Sequence, residues 1–247
     1  MSLRQQPSQP FLKLRQLTLL LLLFSPLLHA KTLLVLGDSL SAGYGMDLEN
    51  GWVQLLSDKL NSHFSATVTG DSDHLSKGKT PGNAKYRIVN ASISGETTAG
   101  GLARLPALLR EHNPDIVIVE LGGNDGLRGY PVKLIRNNLA AIAKLSREAD
   151  ARVLLLGIQI PPNYGQRYTR QFAGLYKELA SEKQIPLVPF FLENVAVNAE
   201  LMQEDGLHPN ARAQRQLLNN VLPHLQPLLK VTALPHNPPS AAGSSSP

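Results

Sequence analysis

Short runs of continuous apolar residues alternate with longer segments of helical periodicity from residue 32 to residue 229. The clearest run, residues 116–119, reads Ile-Val-Ile-Val and has no polar side chain. A strand that is apolar throughout is buried on both faces, as in a parallel sheet covered by helices. The pattern therefore predicts an α/β chain, a three-layer α/β/α sandwich around a central, mostly parallel five-stranded sheet. We predict strands at residues 32–36, 87–90, 116–121, 152–160 and 187–191, and helices at residues 51–64, 101–112, 131–149, 167–183 and 210–229.

The N-terminal segment has the composition of a secretory signal peptide. Residues 1–16 contain three basic residues and no acidic one, and residues 17–24 are almost wholly apolar. That apolar run is far shorter than the ~20 residues that cross a bilayer, and Pro26 interrupts its continuation. The alternative is an amphipathic or buried N-terminal helix, but the run shows no 3.6-residue face. We predict a signal peptide over residues 1–30, cleaved after Ala30, and export to the periplasm or out of the cell.

The positive net charge of the chain depends on that segment. Lys and Arg number 24 against 19 Asp and Glu, which gives a formal net charge of +5. Without the three basic residues of the predicted signal peptide, 21 basic residues face 19 acidic ones, with no long basic run. The charge therefore gives no argument for a nucleic-acid partner. The absence of Cys excludes a lipid anchor on cysteine, disulfides, a thiolate nucleophile and cysteine metal sites.

The rest of the chain is predicted to form one domain, over residues 31–231, which we expect to be monomeric. Within it, residues 69–85 are polar and rich in turn-forming residues, which predicts a surface loop insertion. Residues 232–247 are mostly Pro, Ser, Ala and Gly, with no core-forming residue after Leu234, which predicts a disordered tail.

Four segments of small and polar residues follow the predicted strands or precede the last predicted helix. Because the carboxyl ends of parallel strands meet at one edge of the sheet, we expect these segments to form the site there. The four segments are Gly37-Asp38-Ser39-Leu40-Ser41, Asn90-Ala91-Ser92-Ile93-Ser94-Gly95-Glu96-Thr97, Gly122-Gly123-Asn124-Asp125-Gly126 and Asp205-Gly206-Leu207-His208-Pro209.

In their order, the four segments resemble the sequence blocks of the SGNH, or GDSL, hydrolases. The resemblance covers about residues 32–230, and it implies the flavodoxin-like α/β/α fold of that family. It also implies a serine esterase that acts on acyl esters and thioesters. Within the family, the chain resembles exported multifunctional esterases that act as thioesterase, arylesterase and lysophospholipase.

The residues themselves fit a serine nucleophile with its base. Ser39 follows a strand in a tight turn and is predicted to open a helix, so its hydroxyl can stand exposed above the sheet. His208 alone among the seven His lies in a loop of this kind beside an acid. Asp205, three residues earlier, can reach the other imidazole nitrogen and fix the tautomer, and the family places its triad acid at this spacing. The other six are His29, His74 and His236 in the signal peptide, insertion and tail, and His63, His112 and His224 at or near predicted helix ends.

The predicted oxyanion donors are the backbone N–H groups of Ser39 and Gly95 and the side-chain amide of Asn124. A glycine lets the main chain approach the substrate closely, and an amide side chain offers N–H donors. We expect Asn124 to lie in a loop held by Gly122 and Gly123.

The segment at residues 126–132, next to Asn124, is expected to close over the acyl chain. It carries Leu127, Tyr130 and Pro131, which are the predicted substrate-binding residues. Asp38 and Asp125 are expected to cap nearby backbone N–H groups.

No metal and no other cofactor is predicted, because the chain has no H-E-x-x-H motif and no clustered His and Asp set. The chain also lacks a G-x-S-x-G sequence, so the elbow of α/β-hydrolases does not supply the nucleophile. Residues 77–80, Lys-Gly-Lys-Thr, look like the end of a P-loop. The first glycine of such a loop is missing, since position 73 is Asp.

The sequence thus predicts a cofactor-free serine esterase with an acyl ester or thioester substrate, no nucleic-acid partner and no stable membrane anchor. Two alternatives stay open at this point. A carbohydrate O-deacetylase would use the same catalytic residues in a polar, open site. A non-catalytic lipid- or peptidoglycan-binding module would not need a complete set of Ser39, Asp205 and His208.

Overall fold

The computed structural model describes residues 30–65 and 85–230. The predicted signal peptide, the predicted tail and nearly all of the predicted 69–85 insertion lie outside these residues, so these three remain predictions. The strands are β1 (Lys31–Gly37), β2 (Tyr86–Asn90), β3 (Ile116–Glu120), β4 (Arg152–Leu156) and β5 (Leu187–Val188). The α-helices are α1 (Ser39–Ala42), α2 (Trp52–Ser65), α3 (Thr98–His112), α4 (Gly123–Leu127), α5 (Val132–Glu148), α6 (Gln166–Lys183) and α7 (Gln214–Lys230).

The strands form one parallel sheet in the order β2-β1-β3-β4-β5. Helix α2 packs against α7, whereas α5 packs against both α3 and α6. Because parallel crossovers are right-handed, these two groups of helices cover opposite faces of the sheet. The predicted fold class, a three-layer α/β/α sandwich with five strands, is confirmed.

The two central strands carry the core, as their apolar sequences require. Residues Leu33–Leu36 of β1 and every residue of β3 are buried. On the α2 side, the wholly buried Trp52 meets Phe191 edge to face, with ring centroids 5.5 Å apart. The chain leaves the sheet for the predicted site at the carboxyl ends of β1 and β3.

The last two strands are shorter than predicted. β4 ends at Leu156 instead of residue 160, and β5 has two residues, Leu187 and Val188, instead of five. After Val188, whose carbonyl accepts from Gly157 N at 2.8 Å, the ladder loses its regular register. The pairing stops there with a bond from Phe191 N to the carbonyl of Gly157, 2.8 Å long.

Two helices begin three or four residues away from their predicted starts, and the other three begin within one residue of theirs. α3 starts at Thr98 instead of residue 101, because Thr97 caps it by accepting a hydrogen bond from Gly100 N at 3.2 Å. α7 starts at Gln214, after a 3₁₀ turn over Ala211–Ala213, instead of at residue 210.

The order of the strands places a crevice between β1 and β3. From β1 the chain moves outward to β2, then crosses back over β1 to β3 and continues in the other direction. Open α/β sheets bind ligands at the carboxyl ends of the strands where this reversal occurs. β1 leads directly into Ser39, and β3 leads into the segment that contains Asn124.

Candidate active site

Ser39 occupies the first position of α1, immediately after β1. Asp38 caps this helix, since its Oδ1 accepts a hydrogen bond from Leu40 N at 3.0 Å, as expected for that residue. Ser39 itself is only half-buried. Because the first N–H groups of a helix have no partner within it, the Ser39 N–H is available to a ligand.

His208 and Asp205 reach the Ser39 hydroxyl from the long segment between β5 and α7. His208 Nε2 lies 2.9 Å from Ser39 Oγ, and His208 Nδ1 lies 2.6 Å from Asp205 Oδ2. The structure thus joins all three residues in one hydrogen-bonded series. In the tautomer with the proton on Nδ1, the imidazole donates to Asp205 and accepts from Ser39.

Asp205 is held as a carboxylate by its own turn. Its Oδ1 accepts hydrogen bonds from Leu207 N at 2.9 Å and from His208 N at 3.0 Å. Partial burial opposes ionisation, but the hydrogen bonds from the backbone and ring of His208 and from Leu207 outweigh it and lower the pKa of Asp205 to about 2. Asp205 is therefore ionised at neutral pH and can orient the imidazole.

Tyr44, which sequence reasoning did not select, packs against the same histidine. The rings of Tyr44 and His208 have centroids 4.4 Å apart and are tilted by 36°. Gln203 Nε2 donates to the carbonyls of Tyr44, at 2.8 Å, and Pro209, at 3.1 Å. Gln203 thereby joins the segment after the Ser39 helix to the segment of His208.

Asn124 lies in a short helix, α4, instead of in the predicted loop. Gly122, at φ 115°, caps this helix in a conformation that favours glycine. The Asn124 Nδ2 group donates to Asp38 Oδ2 at 3.1 Å, which brings the amide next to the residue that precedes Ser39. One Nδ2 hydrogen is used in this bond, so the second remains for a ligand.

Gly95 lies in the connection between β2 and α3, with φ 79°. Two contacts fix this connection: Ile93 N donates to the carbonyl of Gly37 at 3.1 Å, and Arg128 Nη2 donates to the carbonyl of Gly95 at 3.2 Å. Arg128 is a second residue that sequence reasoning missed. It tethers the Gly95 segment to the end of α4.

Of the three predicted substrate-binding residues, Leu127 ends α4, and Tyr130 and Pro131 lie between α4 and α5. Leu127 is half-buried against the core, whereas Pro131 and Tyr130 are exposed, Tyr130 by 38%. The carbonyl of Tyr130 accepts a hydrogen bond from Tyr168 of α6 at 2.7 Å. Two hydrogen bonds therefore hold residues 126–132, one from Tyr168 to the carbonyl of Tyr130 and one from Arg128 to the carbonyl of Gly95.

Asp125 is expected to cap backbone N–H groups near it in sequence. It instead accepts hydrogen bonds at the start of α3, a different helix from its own. Its Oδ2 accepts from Thr98 N at 2.9 Å, and its Oδ1 accepts from Thr98 Oγ1 at 2.6 Å. Asp125 thus locks α4 against the N-terminus of α3, where a carboxylate also interacts favourably with the helix dipole.

Asp38 and Glu120 are a pair of buried carboxyl groups next to the turn that carries Ser39. Burial raises the pKa of Asp38 to about 6, although hydrogen bonds from Leu40 and Asn124 oppose the rise. Burial and the nearby charge of Asp38 raise the pKa of Glu120 well above its usual range. Sequence reasoning did not select Glu120, although a charged residue at the end of an otherwise apolar strand was a visible signal.

Over residues 30–65 and 85–230, no group of three or more His, Asp or Glu side chains is arranged to hold a metal ion. In the same part of the chain, no helix is both long enough and apolar enough to cross a membrane.

A flavodoxin-like sheet with a hydrogen-bonded Ser, His and Asp at its carboxyl edge has the arrangement of a serine hydrolase. Comparison with known families agrees. The model of the GDSL-like Lipase/Acylhydrolase family matches residues 35–216, and the chain belongs to that family.

Relatives and solved structures are similar over most of the chain. The chain is 49% identical to esterase TesA of Pseudomonas aeruginosa, over 85% of this chain and 96% of that protein. It is 45% identical to thioesterase 1/protease 1/lysophospholipase L1 of Escherichia coli K12, over 81% of this chain and 86% of that protein. The crystal structure of the psychrotrophic esterase EstA from Pseudoalteromonas sp., inhibited by monoethylphosphonate, has a TM-score of 0.69 at 40% identity and covers 81% of this chain and 100% of its own. The chain is accordingly an ester hydrolase.

Proposed function

We propose that the chain hydrolyses acyl esters and thioesters with Ser39 as nucleophile, His208 as general base and Asp205 as the residue that orients the base. The observation that carries this proposal is the hydrogen-bonded series from Ser39 Oγ through His208 to Asp205, at 2.9 and 2.6 Å. The 2.9 Å distance is within the range for a base that takes a proton from its nucleophile. The 2.6 Å distance is within hydrogen-bond range of the residue that orients this base.

In the first half of the reaction, Ser39 Oγ attacks the acyl carbonyl carbon and its proton passes to His208 Nε2. The negative charge moves to the carbonyl oxygen, which the N–H groups of Ser39 and Gly95 and the free N–H of Asn124 stabilise. The ionised Asp205 stabilises the imidazolium. His208 then gives its proton to the leaving alkoxide or thiolate, which departs as the alcohol or thiol and leaves an acyl ester on Ser39.

In the second half, water attacks the acyl carbon of that ester and gives a proton to His208. The same three donors stabilise the second tetrahedral intermediate. The bond between the acyl carbon and Ser39 Oγ then breaks, His208 returns the proton to Ser39, and a carboxylic acid leaves.

The surface around Ser39 favours an apolar acyl group over the acetylated sugar of an O-deacetylase. Tyr44, Ile93, Tyr130 and Tyr164 are large apolar side chains with between 38% and 49% of their surface exposed. All four lie in connections at the carboxyl edge of the sheet, and Tyr44 contacts the proposed base. Fatty-acyl thioesters, aryl esters and lysophospholipids are the proposed substrates, with Leu127, Tyr130 and Pro131 contacting the acyl chain.

The names of the two relatives, esterase and thioesterase/lysophospholipase, support this substrate class. We further propose that the enzyme is exported after cleavage near Ala30 and acts as a monomer, without a cofactor. The cationic and apolar N-terminal segment supports export.

Substitution of Ser39 tests the mechanism. S39A removes the nucleophile, so kcat for a p-nitrophenyl ester should fall by ~10⁴-fold or more. S94A is the matched control, because Ser94 is exposed and adjoins Gly95, and it should leave kcat within about threefold. A p-nitrophenyl phosphonate should label one serine of the wild-type enzyme, and mass spectrometry of its peptides should place the label on Ser39. Labelling of a different serine would refute the assignment.

A series of acyl lengths tests the substrate class. Thioesters and p-nitrophenyl esters from two to sixteen carbons should show kcat/KM rising with length, because each added methylene buries apolar surface worth ~0.8 kcal/mol. Highest activity on acetyl esters, with acetylated sugars turned over faster than long-chain thioesters, would instead support the O-deacetylase.

A further inference from the structure

Glu120 is a buried carboxyl group to which the proposed mechanism gives no role. It ends the central strand β3, whose other residues are all apolar, and its relative exposure is 0%. The side chain lies under the turn that presents Ser39, because β3 pairs with β1 and places Glu120 opposite Gly37. A Cβ atom on Gly37 would stand 2.9 Å from Glu120 Oε2, which shows how closely the carboxyl approaches the strand.

Glu120 contacts the turn on both sides of Ser39. Its Oε2 accepts a hydrogen bond from Asp38 N at 3.2 Å, one residue before Ser39, and another from Ser41 Oγ at 2.9 Å, two residues after it. Ser41 Oγ in turn accepts from Trp52 Nε1 at 3.2 Å, which links the turn to α2. A single buried oxygen therefore fixes the two residues that flank the nucleophile.

The neutral form of Glu120 fits these surroundings. Its Oε1 is buried and has no hydrogen-bond partner, so an ionised carboxylate would leave charge unscreened in the core. Burial and the adjacent carboxyl group of Asp38 both favour a proton on Glu120, while the pKa of Asp38 at about 6 leaves Asp38 ionised at neutral pH. Asp38 Oδ2 accepts a hydrogen bond from Asn124 Nδ2, which favours the negative charge on Asp38 over Glu120.

A leucine at this position would fill a similar volume without burying a polar group. It would, however, leave both the Asp38 N–H and the Ser41 hydroxyl without an acceptor. Burying Glu120 Oε1 without a partner lowers the stability of the fold. The same carboxyl group, through Oε2, holds the chain on both sides of Ser39.

We propose that Glu120, as a neutral carboxyl group, is a positioning residue that holds the Asp38–Ser41 turn and thereby sets the Ser39 hydroxyl and backbone N–H for reaction. This inference rests on Ser39 being the nucleophile. A defect at Glu120 lowers the rate of attack by Ser39 more than it changes substrate binding, because Glu120 is wholly buried and accepts its hydrogen bonds from Asp38 and Ser41.

Three variants of the full chain test the role. In E120Q the amide oxygen accepts from both Asp38 and Ser41 and the side chain stays neutral, so kcat should stay within about threefold of wild type. In E120L both acceptors are lost, so kcat should fall by about 10- to 100-fold while KM changes less than about threefold. The rate at which a p-nitrophenyl phosphonate labels Ser39 should fall in parallel with kcat. Should E120L fail to fold, E120D serves instead, because its shorter carboxylate keeps the acid and loses the reach, and its kcat should also fall.

S146A is the matched control for the loss of a buried hydrogen bond. Ser146 is wholly buried in α5, and its hydroxyl donates to the carbonyl of Ile142 at 2.9 Å, away from the carboxyl edge of the sheet. It should lower the melting temperature without changing kcat or the labelling rate. The proposal is overturned if E120L, or E120D in its place, labels at the wild-type rate, or if E120Q is as slow as either. Failure of Ser39 to label in the wild-type enzyme would instead refute the proposed nucleophile.

Discussion

The two edges of the sheet are built differently. At the amino edge, the described connections from a helix to the next strand are residues 113–115, 149–151 and 184–186, three residues each. At the carboxyl edge, the connections from a strand to the next long helix run from the seven residues 91–97 to the 25 residues 189–213. The short connections do no more than return the chain to the sheet. The long ones carry Ser39, Gly95, Asn124, Asp205 and His208.

Backbone conformation separates the edges in the same way. Each amino-edge connection has one residue with positive φ, and none of the three is glycine: Asn113, Asp150 and Gln184. Every positive-φ glycine of the described residues lies at the carboxyl edge: Gly43, Gly45, Gly95, Gly122, Gly129, Gly165 and Gly206, together with one non-glycine residue, Asn194. Glycine relieves the strain of this conformation and keeps the backbone open to an approaching ligand.

Side-chain exposure follows the same division. Within the described part of the chain, all eight large hydrophobic side chains that are exposed belong to the carboxyl edge or to the first turn of the helix after it. So do the two buried polar atoms without a partner, Ser92 Oγ and Glu120 Oε1. Folding alone favours neither feature. Exposed hydrophobic side chains and unpartnered buried polar atoms both lower the stability of the fold, and both are concentrated at the edge where the substrate is proposed to bind.

The comparison predicts its largest effect for equivalent carboxylates on the two edges. D205N at the carboxyl edge should lower kcat by ~10³–10⁴-fold, because an amide no longer holds the imidazole in the reactive tautomer. Asp115 at the amino edge also accepts a backbone hydrogen bond, from Thr32 N at 2.8 Å. D115N, whose amide oxygen can still accept from Thr32 N, should leave kcat unchanged and lower the free energy of unfolding by less than about 1 kcal/mol. Steady-state kinetics and urea unfolding of both variants check this, and similar kcat values for the two would abolish the distinction.

Asparagines on the two edges give the next effect. N124A should lower kcat by ~10²–10³-fold with little change in KM, because a donor to the oxyanion is lost. N113A places an alanine in the left-handed conformation, φ 42°, at the end of α3, where asparagine is tolerated better. The variant should lose about 1–2 kcal/mol of stability with no change in kcat. The assignment of Asn124 fails if its variant loses affinity for substrate but keeps its turnover rate.

Substitutions at positive-φ positions should change the free energy of unfolding by different amounts on the two edges. G122A places a Cβ at φ 115° against the Tyr176 hydroxyl, and should lower the free energy of unfolding by roughly 2–4 kcal/mol. Q184G at the amino edge, where φ is 50°, should stay within about 1 kcal/mol of wild type, since relief of strain offsets the greater freedom of the unfolded chain. Thermal or urea unfolding measures both, and an equal loss in the two variants would contradict the contrast.

The smallest effect is the pH dependence of stability from Asp205. Its pKa is lowered from 3.8 to about 2 in the folded protein, so its contribution is present above about pH 4 and is lost as the pH falls toward 2. The contribution is small, because the side chain is 38% exposed and water screens it. Urea unfolding between pH 2 and 5 should show a shallower slope for D205N than for wild type. Identical slopes would show that the carboxylate is not held as its hydrogen bonds indicate.

Local sequence reasoning succeeded where one residue and its neighbours decide the outcome. The apolar runs of β1 and β3 predicted buried parallel strands, and the position of Ser39 after a strand predicted the start of a helix. It failed where distant residues decide. β4 and β5 are short because their regular pairing ends where Phe191, and not Phe190, donates to the carbonyl of Gly157. Asn124 lies in a helix that Asp125 ties to Thr98, 27 residues away.

The sequence by itself determined the layered α/β fold, the edge at which the polar segments meet and the kinds of residue found there. Periodicity and strand composition are local properties, and the edge follows from parallel topology. Only the tertiary structure decided which groups meet: Ser39 with His208, 169 residues apart, Asn124 with Asp38, and Glu120 with both flanks of Ser39. Such contacts depend on strand register and helix packing, which no short segment encodes. For that reason the sequence shows Glu120 as a charged residue at the end of an apolar strand, but it does not show that Asp38 and Ser41 are its hydrogen-bond partners.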